Sequence, residues 1–163
     1  MALEVEDGTG KATAESFISV TDASAYHTAR GNAAWAALAS DTVREQCLRK
    51  ATDYMEQVYR SRWQGCRVSE TQALSWPRYD VEVEGYAIDS DVVPEEVKRA
   101  CAELALKVSS AELLADQSQG VLSEQVGPIA VTYDKSSPQR VRYPAIDAVL
   151  SPYLLANGGG CSM

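Results

Sequence analysis

Two long amphipathic patterns constrain the fold of this chain more than any other feature of its sequence. From Thr42 to about Tyr59, apolar side chains recur at helical spacing and charged side chains lie largely on the opposite face. A second stripe runs from Val97 to Leu114, after a proline and two glutamates that favour the start of a helix. Each stripe needs an apolar surface to cover it, so we predict that the two helices pack on each other.

The stretch between these patterns, residues 59–78, is rich in aromatic and basic side chains. It reads YRSRWQGCRVSETQALSWPR and holds two of the three tryptophans together with four arginines. Bases stack on aromatic faces and phosphates pair with arginine, so the stretch is compatible with a nucleic-acid platform. Large aromatics also bury the greatest area per residue and usually anchor a core, and we favour this second interpretation.

We therefore predict a structural corner in this stretch. Its members are Trp63, Gly65, Arg67, Gln72, Trp76, Pro77 and Arg78. We expect Trp63 and Trp76 to be partly buried and Gly65 to lie at a tight turn. Arg67 or Arg78 is expected to pair with carboxylates. In this interpretation the corner stabilises the fold and does not bind a ligand.

The remaining segments complete a mainly α fold, predicted as a helical bundle with a β-hairpin and extended N- and C-terminal arms. Residues 1–20 are polar apart from one short apolar element, and we predict an arm that docks late or on a neighbouring chain. A helical domain follows over residues 21–156, with a hairpin at about 120–134, where two apolar runs flank a Gly-Pro pair. Residues 157–163 form a flexible, glycine-rich tail.

Two segments are candidates for binding a partner. Tyr153, Leu154 and Leu155 form an apolar tip beside the glycine tether, which either folds onto another chain or covers the chain's own core, and both interpretations stay open. The hairpin is the other candidate, because an isolated hairpin is marginally stable unless something covers it. Its candidate contact residues are Val126, Gly127 and Ile129.

Charge and cysteine content narrow the function classes. The formal net charge of -8 and the isoelectric point of about 4.7 leave no global basic field to gather phosphates, which weighs against DNA binding as the main activity. The four cysteines lack a CxxC pair and share the chain with a single histidine, so we expect no zinc site. Cys47 and Cys101 fall on apolar helix faces, which favours buried thiols in a reducing compartment. No stretch approaches a membrane span, and we expect a protein made in the cytoplasm without a membrane partner.

The sequence shows no catalytic constellation. Gly8-Thr9-Gly10-Lys11 is a fragment of a phosphate loop without the upstream glycine and strand, and His27 has no paired nucleophile nearby. The paired acidic residues between positions 82 and 96 are more simply explained as a solvated loop and a helix start than as a metal site. We therefore expect no enzyme activity, no cofactor and no bound metal.

The order of several motifs resembles a known family. The motifs are EDGTG, SFISVTDASAYHTARG with a following tryptophan, Ala51-Thr52-Asp53-Tyr54, Arg62-Trp63-Gln64-Gly65, Gln72-Ala73-Leu74-Ser75-Trp76-Pro77-Arg78, Val93-Pro94-Glu95, Val126-Gly127 and Val131-Thr132-Tyr133. Together they span nearly the whole chain and are similar to a tailed-phage family often labelled DnaT-like single-stranded DNA-binding protein. They are also similar to the head-to-tail connector, or adaptor, proteins that sit below the portal.

The connector resemblance implies a structural protein of the bacteriophage virion. The expected function is a head-tail connector in the neck: a homo-oligomeric, dodecameric ring on the portal protein that continues the DNA ejection channel. The ring would offer the docking surface for the tail or for a stopper or tail-completion protein. DNA would pass without sequence-specific binding, because a carboxylate-lined channel repels phosphates. The resemblance places the protein in the virion after assembly in the host cytoplasm.

The alternative, implied by the family label, is a single-stranded DNA-binding, DnaT-like replication protein. Its binding residues would be Tyr59, Arg60, Arg62, Trp63, Arg67, Trp76 and Arg78. Stacking on bases requires exposed indoles, whereas a structural corner requires buried ones. A third interpretation, a phage-encoded enzyme, is disfavoured by the missing catalytic constellations.

Overall fold

The structure is a computed structural model of the chain, and it describes residues 2–110, 123–126, 129–132 and 143–155. Its helices are α1 Val20–Ala29, α2 Ala33–Ala36, α3 Asp41–Tyr59, α4 Glu95–Val108 and α5 Pro144–Leu150, followed by a 3-10 turn at Ser151–Tyr153. Its strands are β1 Cys66–Arg67, β2 Arg78–Tyr79, β3 Glu82–Val83, β4 Tyr86–Ala87, β5 Ser123–Val126 and β6 Ile129–Thr132. The prediction of a mainly α fold with a β-hairpin is confirmed, and the bundle arrangement of the helices stays a prediction.

The helices α3 and α4 pack on each other, as predicted. α3 begins after Ser40, whose side-chain oxygen accepts a hydrogen bond from the Val43 amide at 3.3 Å. α4 carries two glutamates in its first turn, where carboxylates stabilise the positive end of the helix dipole. The side chains that these helices bury completely include Leu48, Met55, Val97 and Leu104. Burying one such side chain stabilises the fold by about 1.5–3 kcal/mol.

The N-terminal segment packs against the chain's own core, so the prediction of an extended arm is wrong for residues 2–19. Phe17 and Ile18 are 0% and 5% exposed. Val5 pairs with Ser16 in an isolated β-bridge, which folds the segment back on itself. The polar sequence before Phe17 does not keep this segment in water, because its polar groups find partners inside the protein.

A buried carboxylate, Glu6, supplies three of those partners. Glu6 accepts hydrogen bonds from the amides of Gly8, Gly10 and Lys11 at 2.8–2.9 Å. The fragment that resembles a phosphate loop therefore does surround an anion, and that anion is a side chain of the same loop. Gly8 is required here: its φ is +102°, and an added Cβ would lie 1.8 Å from the Asp91 carbonyl oxygen.

The described strands pair in three antiparallel two-stranded sheets. β1 pairs with β2 and joins the two ends of the loop that follows α3, whereas β3 and β4 form a small hairpin in the acidic stretch. β5 pairs with β6 with Val126 opposite Ile129, which confirms the predicted hairpin. Gly127, predicted to contact a partner, lies outside the described residues.

The C-terminal segment covers the core of its own chain. Tyr153 and Leu154 are 5% and 9% exposed, and Leu154 forms an isolated antiparallel bridge with Trp63. Leu155 is half-buried and donates its amide to the Arg62 carbonyl at 2.7 Å. Of the two interpretations of this tip, the structure shows the intramolecular one. Partner binding by these residues and by the hairpin stays a prediction, and the glycine-rich tail lies outside the described residues.

The cysteines divide into two kinds. Cys47 and Cys101 are buried free thiols, as predicted. Burial raises the pKa of both thiols, so they stay protonated at neutral pH. Cys66 is disulfide-bonded, which disagrees with the expected reducing compartment.

Candidate nucleic-acid interface

The aromatic side chains of residues 59–78 lie inside the core. Tyr59 and Trp76 are 0% exposed and Trp63 is 2% exposed. The Trp63 and Trp76 rings meet edge to face with centroids 5.7 Å apart, and Trp76 meets Tyr153 in the same way at 5.8 Å. Burial is deeper than predicted because the C-terminal Tyr153 closes the cluster. These indoles offer no free face to a base, so they cannot form a stacking platform.

Arg78 is also buried, and it binds backbone instead of a carboxylate. Its guanidinium donates to the carbonyl oxygens of Gln64 and Gly65, each at 2.6 Å, and of Ser75 at 3.1 Å. The predicted carboxylate partner is wrong because the irregular loop presents carbonyls that need donors, and one guanidinium satisfies three of them. Burial and the neighbouring Arg67 lower the pKa of Arg78 to about 10, so the group stays charged at neutral pH.

Gln72 organises the other side of the same loop. Its side chain accepts a hydrogen bond from the Ser69 amide at 2.9 Å and donates to the carbonyls of Leu74 and Pro77 at 2.8 and 3.1 Å. Arg67 donates to the backbone carbonyl of Gln72 at 3.0 Å, again in place of the predicted carboxylate. The loop is therefore held by side chains that hydrogen-bond its own backbone.

Gly65 and Pro77 fix the backbone path at the corner. Gly65 has φ +61°, and an added Cβ would lie 2.0 Å from the Tyr79 carbonyl oxygen. The Trp76-Pro77 peptide is cis. The residues predicted for the corner lie together in the structure.

The cations of this stretch that reach solvent are few. Arg60 and Arg62 are exposed, and the Arg62 guanidinium carbon lies 5.6 Å from the centroid of the Tyr59 ring. Of the residues proposed in the DNA-binding alternative, the aromatic ones and Arg78 are buried. What remains on this surface is positive charge without an aromatic face.

A second surface, which the sequence analysis missed, combines cations with an accessible aromatic ring. It is a cavity of about 380 Å³ between α1 and the first turns of α4, which we call the α1–α4 cleft. Its polar and aromatic wall comprises Asp22, Tyr26, Arg30, Glu95, Lys98 and Arg99. The size is within the range of small-molecule binding sites.

The pair of Arg30 and Tyr26 forms a preorganised stacking surface in this cleft. The guanidinium carbon of Arg30 lies 3.6 Å from the centroid of the Tyr26 ring, a close cation–π contact. The Tyr26 hydroxyl donates to the Glu103 carboxylate of α4 at 2.9 Å, which fixes the ring. Burial and this carboxylate raise the pKa of Tyr26, so the hydroxyl stays a neutral donor. Arg30 is exposed, so its guanidinium plane is accessible from solvent.

Cations outnumber carboxylates in the cleft by three to two. Arg99 is exposed and makes no hydrogen bond or ion pair within the described part of the chain. Lys98 pairs with Glu95 at 2.9 Å, but a surface ion pair of this kind is worth at most about 1 kcal/mol and leaves the ammonium available. Asp22 is held by the Ser19 hydroxyl, which donates to it at 2.7 Å.

A buried histidine of α1 makes a hydrogen bond with α4. His27 is 1% exposed. Its Nε2 lies 3.0 Å from the Ala102 carbonyl oxygen of α4, and its Nδ1 lies 3.0 Å from the side-chain nitrogen Nδ2 of Asn32. These partners fit a neutral ring that donates from Nε2 and accepts at Nδ1. Burial lowers the pKa of His27, which agrees with the neutral form.

The sequence does contain a weak signal for the cleft. Tyr26 and Arg30 are four residues apart, so they share a helix face. Lys98 and Arg99 follow the acidic first turn of α4. That these two groups meet depends on how α1 docks on α4, which the sequence pattern alone does not specify.

Two classes of feature are absent from the parts of the chain that the structure describes. No three His, Cys, Asp or Glu side chains group there as a metal site would require. None of the described helices combines the length and apolar character needed to cross a membrane.

Comparison with known proteins gives one match. The family model described as "Putative DnaT-like ssDNA binding protein" matches residues 1–163. Searches of the curated proteins and of the solved structures found no match.

The family match contradicts the main function that the sequence analysis predicted. A virion head-tail connector is not what the matching family describes, and the description agrees with the alternative, single-stranded DNA binding. The predicted dodecameric ring, its portal and tail partners and its place in the virion depend on the connector function and stay predictions. The expected lack of enzyme activity also stays a prediction.

Proposed function

The chain belongs to the family described as putative DnaT-like single-stranded DNA binding proteins, and on that premise we propose that it binds single-stranded DNA. The observation that carries the proposal is the family match over the whole chain. The α1–α4 cleft supports it, because it places three cations around a stacked Arg30–Tyr26 pair. The residues of the corner do not carry the binding, since their aromatic rings are buried.

An acidic protein can bind a strand through such a local site. The formal net charge is -8, but at physiological ionic strength the screening length is about 8 Å. Carboxylates beyond that distance are largely screened, whereas Arg30, Lys98 and Arg99 line the cleft and can contact phosphates directly. Three neutralised phosphates would give a slope of about -2 for log K against log salt concentration.

The Arg30–Tyr26 pair supplies the second component of affinity. Bases stack on guanidinium planes as well as on aromatic rings. The contact with the Tyr26 ring holds the Arg30 plane in place before DNA arrives, so less side-chain entropy is lost on binding. Stacking of one base is worth about 1–3 kcal/mol.

A charge-matched pair of double variants tests the proposal. Arg30→Ala with Arg99→Ala removes two cations from the cleft, and Arg60→Ala with Arg62→Ala removes two exposed cations that lie beside the corner in sequence, within residues 59–78. We expect the cleft variant to bind a labelled mixed-sequence single strand at least tenfold more weakly, about 1.4 kcal/mol. The Arg60→Ala, Arg62→Ala variant should lose much less affinity. Fluorescence anisotropy measures both affinities, and circular dichroism checks that both variants fold.

Two outcomes would overturn the proposal. One is that the wild-type chain does not bind a single strand even at low salt, where electrostatic attraction to the cleft is least screened. The other is that the two double variants lose affinity equally, because the loss would then reflect net charge and not the cleft.

A further inference from the structure

We infer that the α1–α4 cleft binds one nucleotide and prefers a base that presents an amino group beside a ring-nitrogen acceptor, so that cytosine binds better than thymine. This inference rests on the proposed function and names the ligand of the same site. It follows from the size of the cleft and from the kind of polar groups on its wall.

The volume limits the occupant to one nucleotide. The cleft measures about 380 Å³, near the lower end of the range of about 300–1,000 Å³ for small-molecule sites. A strand would therefore place a single base in the cleft, against the Arg30–Tyr26 pair, and its phosphates outside near the exposed cations. The wall then contacts that base at its edges.

The wall pairs acceptors with donors. Asp22 and Glu95 contribute carboxylates, and Arg99 contributes a guanidinium without an ion pair among the described residues. One oxygen of each carboxylate is already engaged: Asp22 Oδ2 accepts from Ser19, and Glu95 Oε1 accepts from Lys98. The second oxygen of each carboxylate makes no hydrogen bond within the described residues and is able to accept one from a ligand.

The donors and acceptors of the wall are complementary to the hydrogen-bonding edge of cytosine, and its carboxylates repel the O4 carbonyl of thymine. Cytosine offers its N4 amino group to a carboxylate, and its N3 and O2 atoms accept from a guanidinium. Thymine has the O4 carbonyl where cytosine has the amino group, and a carbonyl oxygen facing a carboxylate is repelled. Adenine shares the amino group and the neighbouring ring nitrogen with cytosine.

The test compares labelled oligo-dC and oligo-dT of equal length near neutral pH. For the wild-type chain we expect oligo-dC to bind about fivefold to tenfold more tightly, as one good base contact provides. Asp22→Asn with Glu95→Gln removes both cleft carboxylates. It should bind oligo-dT more tightly, because two negative charges that repel the strand are lost, and it should bring the dC/dT ratio close to one, because the contact that favours cytosine is weakened.

A matched control separates charge from base contact. Glu82→Gln with Glu84→Gln removes two exposed carboxylates that do not line the cleft. Its dC/dT ratio should equal that of the wild type.

Three results would overturn the inference. If the wild type binds oligo-dC and oligo-dT equally well, the base preference is wrong, whereas the proposed binding of single-stranded DNA is supported. A ratio that persists in the Asp22→Asn, Glu95→Gln variant would place the preference outside the cleft. If neither strand binds, the proposed function fails and the inference with it.

Discussion

At the scale of single residues, Glu6 shows how one buried carboxylate holds a loop. Its oxygens accept three amide hydrogen bonds, from Gly8, Gly10 and Lys11. We predict that Glu6→Ala lowers the free energy of unfolding by about 1–3 kcal/mol, because buried amides lose their acceptor. Urea denaturation measures the loss. The control is Glu4→Ala, which removes an exposed carboxylate paired with Lys11 at 3.5 Å and should cost at most about 0.5 kcal/mol. Equal losses would contradict this role of Glu6.

His27 makes stability depend on pH. Its folded-state pKa lies below the ordinary value of 6.5 because burial disfavours the imidazolium, which could no longer accept the Asn32 hydrogen bond. The stabilising contribution is therefore fully present above pH 6.5 and is lost as the pH falls through the lower, folded-state pKa. In acid the wild type should lose stability more steeply than His27→Gln, by at most about 1.4 kcal/mol per pH unit. Denaturation midpoints measured across this range give the difference, and parallel curves for the two proteins would contradict it.

Among the secondary-structure elements, those that depend on a local sequence pattern were predicted best. The α3 and α4 helices follow from apolar stripes at helical spacing, and their packing follows from the need to cover those stripes. The α1–α4 cleft could not be predicted in this way. It depends on how α1 docks on α4, and the His27–Ala102 hydrogen bond between these helices joins residues 75 positions apart, which no local period encodes.

The corner was predictable in part: less than the α3 and α4 helices, and more than the α1–α4 cleft. Its members could be named from composition, since tryptophan, arginine and glycine cluster within residues 59–78. Their hydrogen-bond partners could not be predicted, because a guanidinium can donate to a carboxylate or to several backbone carbonyls. Which of these it meets depends on the folded loop. Arg78 donates to three backbone carbonyls. The prediction of an extended N-terminal arm was wrong for a similar reason, because the polar groups of that segment form hydrogen bonds with one another.

The corner gives a prediction about stability. Trp76 is 0% exposed and contacts Trp63 and Tyr153 edge to face. We predict that Trp76→Ala destabilises the fold by about 3–5 kcal/mol through the cavity that it leaves. Chemical denaturation followed by circular dichroism measures this loss. Tyr86→Ala serves as the control, because Tyr86 is 77% exposed and should change stability by less than about 0.5 kcal/mol. A Trp76→Ala protein of unchanged stability that no longer binds DNA would instead support stacking by this residue.

For the whole molecule, net charge and the family description point to different functions. A formal charge of -8 argued against DNA binding, yet the family match points to it. The net charge and the family match are compatible, because a net charge does not show how cations are grouped. Arg30 lies in one cleft with Lys98 and Arg99, which are far from it in the sequence. A function that depends on such a local grouping is visible only after folding.

Mapping the DNA-binding surface residue by residue tests whether a single strand binds in the α1–α4 cleft. Isotope-labelled protein titrated with an unlabelled single strand, followed by backbone amide chemical shifts, reports each contacted segment. We predict that the largest changes fall on the end of α1, around Tyr26 and Arg30, and on the first turns of α4, around Lys98 and Arg99. Changes confined to residues 59–78, or no change at saturating DNA, would contradict single-stranded DNA binding at the α1–α4 cleft.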